Sequence, residues 1–166
     1  MQRFRFSLCM TALLALATVG CGKSASESAA EKVVESAMAA QGQKADVSID
    51  SDSMKVTTSE GTMSIGEGTK VPDNWPSDVP VYAGVKLVTA FSTPEGAALQ
   101  GTTTDSAAKV ESFYKDQAAK NGWTEDASVK QGEMVSLIYK KEKRVLSVIT
   151  TRTGSETSVA ISLSNQ

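Results

Sequence analysis

The 166-residue chain contains no histidine, and this absence excludes several kinds of chemistry. Histidine is the general base of Ser-His-Asp triads and a common ligand of zinc and other transition metals. We therefore expect no histidine-dependent catalysis, no cofactor and no metal site. Aromatic residues make up 5% of the chain, and the formal net charge is −2. A charge so close to zero provides no general attraction for nucleic acid.

Cysteine is almost as scarce, because the chain contains only Cys9 and Cys21. Cys9 lies in an apolar run, residues 8–19, that follows two arginines. The run is shorter than the roughly 20 apolar residues that a membrane-spanning helix needs. A short apolar run behind a positive start is typical of a secretory signal peptide. If residues 1–20 are removed on export, Cys21 is the single cysteine left, so no disulfide can form within the chain.

The residues that end in Cys21 resemble a bacterial lipobox. They read Leu-Ala-Thr-Val-Gly-Cys, with Thr18 at a position where leucine is usual. The resemblance implies a diacylglyceryl group on the sulfur of Cys21, cleavage just before it and acylation of the new amino group. Several acyl chains give stable membrane anchoring. The alternative is a secretory peptide that ends by chance at a cysteine.

The residue that follows the lipobox cysteine indicates which membrane holds the protein. In bacteria with two membranes, an aspartate at this position retains a lipoprotein in the inner membrane, and this chain has Gly22. The resemblance therefore implies the outer membrane, with the protein facing the periplasm. In a bacterium with a single membrane, the anchor would lie in the cell membrane.

Changes in composition along the chain predict five segments. They are a signal peptide at 1–20, a lipidated cysteine and tether at 21–28, a helix with a β-meander at 29–68, a proline-rich connector at 69–84 and an α+β domain at 85–166. Ser28 and Glu31 have capping-box spacing, which predicts that the first helix begins at residue 29. Three runs of alternating apolar and polar residues between 47 and 65 then predict a three-stranded meander on which this helix packs.

The second block predicts an α+β fold with the order β-β-α-β-β-β-β, in which one helix packs across an antiparallel sheet. The pattern indicates a helix at about 105–121, with Asp105 as its N-cap. Gly122 is expected at the C′ position, and Trp123 is expected to fold back onto Ala118. The strands that follow alternate apolar and polar residues, and two of them are apolar on both faces. Such strands lie in the middle of a sheet.

Three phrases in this part of the chain resemble a group of bacterial envelope lipoproteins. They are Pro76-Ser-Asp-Val-Pro-Val-Tyr-Ala-Gly84, the Phe113-Tyr114 pair of the helix, and Gly122-Trp123 at its end. The similarity covers about residues 72–163, with a weaker echo in 29–66. The group has no assigned activity, so the resemblance implies a class of protein and a compartment, but no catalytic residues.

Several residues are candidates for binding. Trp75, Tyr82 and Trp123 could present a surface to a partner or ligand, although aromatic residues in a small domain are more often core. Basic residues cluster in one predicted hairpin and could contact anionic lipid headgroups or stay as a solvated tip. These are Lys140, Lys141, Lys143 and Arg144. Asp46, Asp50 and Asp52 do not fit a calcium loop, because position 12 of a loop that starts at Asp50 is a glycine.

The sequence therefore favours a non-enzymatic protein. No Gly-x-Ser-x-Gly or Ser-x-x-Lys motif occurs, and no spacing singles out two carboxylates for acid-base work. We expect a lipid-anchored envelope protein, with Cys21 as the attachment site, that binds or supports an envelope protein or cell-wall component. The alternative is a carrier that holds a small apolar ligand between the helix and the sheet. A hydrolase that uses two carboxylates is a third, weaker alternative.

Overall fold

The computed structural model describes residues 23–165 of the chain. These residues form two helices and nine strands. In chain order the elements are α1 (Lys23–Ala39), β1 (Ala45–Asp50), β2 (Ser53–Thr58), β3 (Gly61–Gly66), β4 (Lys86–Ser92), β5 (Gly96–Thr103), α2 (Ala107–Lys120), β6 (Thr124–Gln131), β7 (Met134–Lys141), β8 (Arg144–Thr153) and β9 (Glu156–Asn165).

All the described strands belong to one antiparallel sheet with the order β1-β2-β3-β4-β5-β9-β8-β7-β6. The predicted α+β class with a helix across an antiparallel sheet is confirmed. The meander is not a separate small sheet, because β3 pairs with β4. The pairing runs from Thr62 opposite Ser92 to Ile65 opposite Thr89. The connector between β3 and β4 therefore returns the chain to the same sheet. The four strands that alternation predicts after α2, at 125–130, 133–140, 143–151 and 157–163, each begin and end within two residues of β6–β9.

Helix α2 begins and ends where local chemistry satisfies its terminal backbone groups. Its N-cap is Ser106, whose hydroxyl accepts a hydrogen bond from the Lys109 N–H, so the assignment of this role to Asp105 is wrong by one residue. At the other end, Gly122 has a φ of 77°, and the Trp123 N–H donates to the Ala118 carbonyl at 2.9 Å. This is the predicted C-terminal motif, and it turns the Trp123 side chain towards the core.

The core lies between α2 and one face of the sheet. Helix α2 contacts β6, β7 and β8, and its residues Val110, Tyr114 and Ala118 are fully buried. Opposite them the strands contribute alternate side chains, as expected for a sheet with one packed face. The hydrophobic ones below 3% exposed are Ala90, Leu99, Leu137, Tyr139, Leu146, Val148, Val159 and Ile161.

Helix α1 differs from the prediction at its start and in its packing. It begins at Lys23, so residues 23–28, expected as a tether, are helical. The predicted capping box is wrong, because Glu31 is bonded to the sheet edge instead. The helix packs mainly against β1, and Val33, from its predicted apolar stripe, is 53% exposed. Neither described helix is long and apolar enough to cross a membrane.

Candidate functional site

The connector between β3 and β4 is held to the rest of the fold through Asp78. Its carboxylate accepts two hydrogen bonds from Arg144, at 3.0 Å and 2.6 Å, and one from Lys141 at 2.6 Å. These contacts, led by that with Arg144, lower the pKa of Asp78 to about 2. A bidentate arginine and a second cation on one carboxylate form a strong, geometrically specific contact. The arrangement fixes the connector at the β7–β8 hairpin.

Trp123 completes this contact. Its indole N–H donates to the Asp78 carbonyl at 2.7 Å, and the Arg144 guanidinium carbon lies 5.0 Å from the ring centroid. A guanidinium at this distance from an indole is attracted by the ring. Trp123 is 4% exposed. The indole N–H and the ring of Trp123 are therefore both engaged in contacts within the fold.

Tyr82 occupies a similar structural position at the other end of the connector. Its hydroxyl donates to Asp105 at 2.5 Å, and its backbone N–H donates to the Tyr114 hydroxyl at 3.3 Å. The Phe113 ring meets it edge-on at 5.1 Å. The hydrogen bond from Tyr82, followed by that from Lys109, lowers the pKa of Asp105.

The three aromatic residues predicted as a binding surface therefore lie in or against one core cluster. Tyr82 and Trp123 are buried, and Trp75 is half-buried with its indole N–H bonded to the Val79 carbonyl at 3.0 Å. In this conformation they pack the connector onto the domain, and they do not form an exposed aromatic surface. Cys21, the predicted attachment site, lies outside the described residues.

The basic hairpin is also largely paired. Lys141 and Arg144 bind Asp78, and Lys140 forms an ion pair with Asp126 at 2.9 Å. The structure therefore favours the structural interpretation of this cluster over contact with lipid headgroups. Within residues 23–165, no group of acidic or cysteine side chains could hold a metal ion.

The side chains between α2 and the sheet, where the alternative function would place an apolar ligand, are almost completely buried and form one cluster. Two buried hydroxyls on the sheet, Tyr139 Oη and Thr150 Oγ1, have no hydrogen-bond partner. Burial, the largest cause, raises the pKa of Tyr139 to about 12. Each hydroxyl is a donor without an acceptor, and such groups call for an explanation in a native core.

Two surface clefts lie away from this interface. The larger, about 450 Å³, lies between the polar face of β1–β3 and residues 68–74. Its lining is rich in hydroxyls and includes Lys55 and Lys70, so it suits a polar ligand rather than an apolar one. The smaller cleft, about 140 Å³, lies near Asn74 and Arg144.

The largest unexplained feature is the sheet face opposite α2. Cross-strand pairing places two adjacent rows of side chains on it, and both rows cross all the described strands. We call these two rows, apart from the buried Val47, the open face. The first row is Val47, Val56, Met63, Phe91, Ala98, Ser162, Ser147, Ile138 and Ala127. The second row is Ile49, Met54, Ile65, Thr89, Gln100, Ala160, Ile149, Ser136 and Val129.

No residue of the open face is charged, although 22% of the chain is charged. Met63, Ile65, Phe91, Ile149 and Val129 are each between 38% and 53% exposed. The other face of the same meander carries charged side chains, including Asp46, Asp50 and Lys55. Solvated sheet faces are usually polar. An extended, uncharged and partly apolar face is typical of an interaction surface.

The sequence pattern indicated some of the apolar residues of the open face, but not that they are exposed. The alternating apolar residues of β1–β3 were recognised, but they were expected to be covered by α1. Helix α1 packs mainly against β1, where Val47 is buried, whereas Met63 and Ile65 on the next strands are exposed. The apolar positions on the second face of β7 and β8 were taken to mark central strands, which they are, but that face is open.

Comparison with known proteins gives a partial family similarity. The START domain-like family profile matches residues 87–159, which run from β4 into β9 and include α2. The match spans less than half of the chain, and the antiparallel sheet around α2 is consistent with the helix-grip fold of such domains. No curated protein and no solved structure matches the chain significantly.

Proposed function

We propose that the protein is a non-enzymatic binding module, held in the bacterial envelope by lipid on Cys21. The lipobox resemblance and the following Gly22 support an outer-membrane anchor facing the periplasm, or a cell-membrane anchor if the organism has a single membrane. More than one acyl chain on Cys21 would make the attachment stable. The folded domain would begin within a few residues of the anchor, because α1 starts at Lys23.

The ionisable groups support a role without catalysis. Catalytic carboxylates are recognised by shifted pKa values in a cleft where a substrate can reach them. Here Asp78 and Asp105 have lowered pKa values because structural partners bind them, led by Arg144 and Tyr82 respectively. Both contacts fasten the connector or the start of α2. The complete absence of histidine also removes the most common general base.

The observation that carries the binding role is the open face. It presents partly exposed apolar side chains and no charge, so it fits an uncharged protein surface. An anionic lipid or nucleic-acid surface would require basic residues, and neither row contains one. We propose that the partner is a protein whose contacting surface is likewise apolar and uncharged.

The anchor is tested by changing the acceptor of the lipid. In cells fed labelled fatty acid, the wild-type protein should incorporate label and fractionate with membranes. Cys21→Ser should lose both properties, whereas Cys9→Ser, which alters the apolar run, should keep them. Absence of label from the wild-type protein would refute the anchor.

A second candidate is a carrier of a small apolar ligand. START domain-like proteins are associated with ligand binding in a hydrophobic cavity, and the family match covers α2 together with β5–β8 and parts of β4 and β9. The unpartnered hydroxyls of Tyr139 and Thr150 face the interface where such a ligand would lie. The near-complete burial of these side chains weighs against this candidate, because a ligand would have to displace them.

A further inference from the structure

The sheet has two edges, β1 and β6, and helix α1 lies along the first of them. We propose that α1 is a displaceable cover, and that the β1 edge beneath it binds an extended protein segment in which apolar and basic residues alternate. The bound segment would pair with β1 and add a strand to the sheet. The site is an edge rather than a face, so this inference goes beyond the role proposed for the open face.

The side of α1 that lies against β1 is rich in carboxylates. Among residues 26–39, the half-buried side chains recur at helical spacing and therefore share one side of the helix. They are Glu27, Glu31, Val34, Glu35 and Met38. A helix that packs on a protein core normally presents an apolar stripe. Here the helix presents hydrogen-bond acceptors to the edge of the sheet.

Two of these glutamates take the place of a neighbouring strand. Glu31 accepts a hydrogen bond from the Ile49 N–H at 2.8 Å, and Glu35 accepts one from the Val47 N–H at 3.3 Å. Both N–H groups point away from β2, so they are the groups to which a further strand would bond. The backbone groups of α1 are bonded within the helix and cannot form a ladder with β1. An added strand would satisfy both the N–H and the carbonyl groups of the edge.

Helix α1 is attached to the fold less firmly than α2. No side chain among residues 26–39 is buried or belongs to the core cluster, whereas α2 contributes three fully buried residues. Residues 40–44, which join α1 to β1, are all exposed. Elements with few buried contacts open at a low cost in free energy. The helix can therefore leave the edge while α2 stays packed on the sheet.

β1 is better suited to strand addition than β6 at the opposite edge. The pairing of β6 with β7 is irregular between Glu125 and Ala127, and such bulges disturb the pairing of an edge strand. β1 pairs with β2 along its whole length without a shift in register. This regular edge is closed by α1, so its affinity for another strand depends on whether α1 is in place.

The side chains of β1 determine what the added strand must carry. Val47 and Ile49 lie on one side of β1. Asp46, Ser48 and Asp50 lie on the other side, and both aspartates are exposed. Neither aspartate forms an ion pair with another described residue. Because opposite charges on neighbouring strands stabilise a sheet, lysine or arginine fits beside the aspartates and apolar residues fit beside Val47 and Ile49.

The test uses the full chain in detergent and a fluorescent peptide with the core Lys-Val-Thr-Val-Lys, whose lysines have the spacing of Asp46 and Asp50. The wild-type protein should bind it weakly, because α1 occupies the edge. Glu31→Ala combined with Glu35→Ala should raise the affinity about ten- to hundredfold, since a larger fraction of the protein then has a free edge. The exposed Lys32 provides the matched control, and Lys32→Ala should bind the peptide like the wild type.

Two further measurements locate the bound peptide. A peptide with the core Glu-Val-Thr-Val-Glu should bind the double variant about tenfold more weakly, because like charges then lie side by side. Adding Asp46→Lys and Asp50→Lys to the double variant should reverse this preference. The bound basic peptide should also slow amide exchange at Val47 and Ile49, measured by NMR, because the added strand bonds to these N–H groups.

Three results would overturn the inference. They are equal binding of the basic peptide by the wild type and the double variant, equal binding of the two peptides by the double variant, and unchanged amide exchange at Val47 and Ile49. Glu35→Ala alone removes the longer bond and should give a smaller rise in affinity, which tests the inference if the double variant folds poorly. Loss of fatty-acid labelling would refute the anchor without affecting these results.

Discussion

The carboxylate of Glu31 on α1 accepts a hydrogen bond of 2.8 Å from the backbone N–H of Ile49 on β1. One helical turn later, Glu35 accepts from the Val47 N–H at 3.3 Å. Four residues of helix rise about 6 Å, and two residues of strand rise about 7 Å, so the two spacings match. Helix α1 thus satisfies outward-facing N–H groups of an edge strand, which would otherwise be available to another chain.

Removing these acceptors should release α1 from the sheet. We expect Glu31→Ala combined with Glu35→Ala to lower the free energy of unfolding by about 1.5–3 kcal/mol, the usual range for a hydrogen bond to a charged group. Amide exchange at Ile49 and Val47, measured by NMR, should become faster. Lys32→Ala, an exposed change on the same helix, should leave both rates unchanged. Unchanged exchange in the double variant would mean that α1 does not protect this edge.

The contact between Asp78 and Arg144 should make stability depend on pH in acid. Because the folded-state pKa of Asp78 is lowered from 3.8 to about 2, its stabilising contribution is present above about pH 4 and is lost as the pH falls towards 2. The loss should be about 2 kcal/mol, measured by urea unfolding at pH 5 and pH 2. Asp78→Asn should be less stable at pH 5 and should lose less stability on acidification.

The exposed Asp73, in the same connector, provides the control. Asp73→Asn should leave the acid loss of stability as it is in the wild-type protein. If Asp78→Asn and Asp73→Asn show the same dependence on pH, the Asp78 contact does not stabilise the fold as its geometry indicates.

Substitutions at two buried threonines can distinguish a core without a ligand from a ligand site. Thr150 and Thr157 are each at most 1% exposed. The Thr157 hydroxyl donates to the Asp105 carbonyl at 2.7 Å, whereas the Thr150 hydroxyl has no partner. In a filled core, Thr150→Val should raise the free energy of unfolding by about 1 kcal/mol, and Thr157→Val should lower it by about 1–3 kcal/mol. Thermal or urea unfolding measures both.

The opposite result for Thr150 would favour the carrier. If Thr150→Val destabilises the protein isolated from cells, its hydroxyl has a partner that the chain itself does not supply. Mass spectrometry under non-denaturing conditions should then detect a bound small molecule, and Tyr139→Phe should weaken its retention.

Local signals in the sequence predicted local structure well. Gly122 predicted the end of α2, because a left-handed residue at C′ is a strong requirement that glycine meets. The start was less accurate, since Asp105 and Ser106 are both good N-caps. Asp105 instead accepts a hydrogen bond from Tyr82, which is 23 residues away and could not be identified from local spacing.

Long-range pairing was harder to predict. Alternation identifies the two faces of a strand but not what covers each face. The pairing of β3 with β4 extends the meander into the main sheet and leaves Met63 beside Phe91 on the open face. The roles of Trp75 and Trp123 were also not visible in the sequence. The Trp123 N–H donates to the Asp78 carbonyl, the Trp75 N–H donates to the Val79 carbonyl, and both rings pack in or against the core.

The position of β9 has a consequence for how the chain can fold. β9, the last strand, pairs with β5 on one side and β8 on the other. It is therefore the only described connection, through backbone hydrogen bonds, between the β1–β5 half and the β6–β8 half. A chain that emerges N-terminus first from a ribosome or a translocation pore cannot close its sheet until Glu156–Asn165 has emerged. Such a topology delays closure of the sheet until β9 is available to pair.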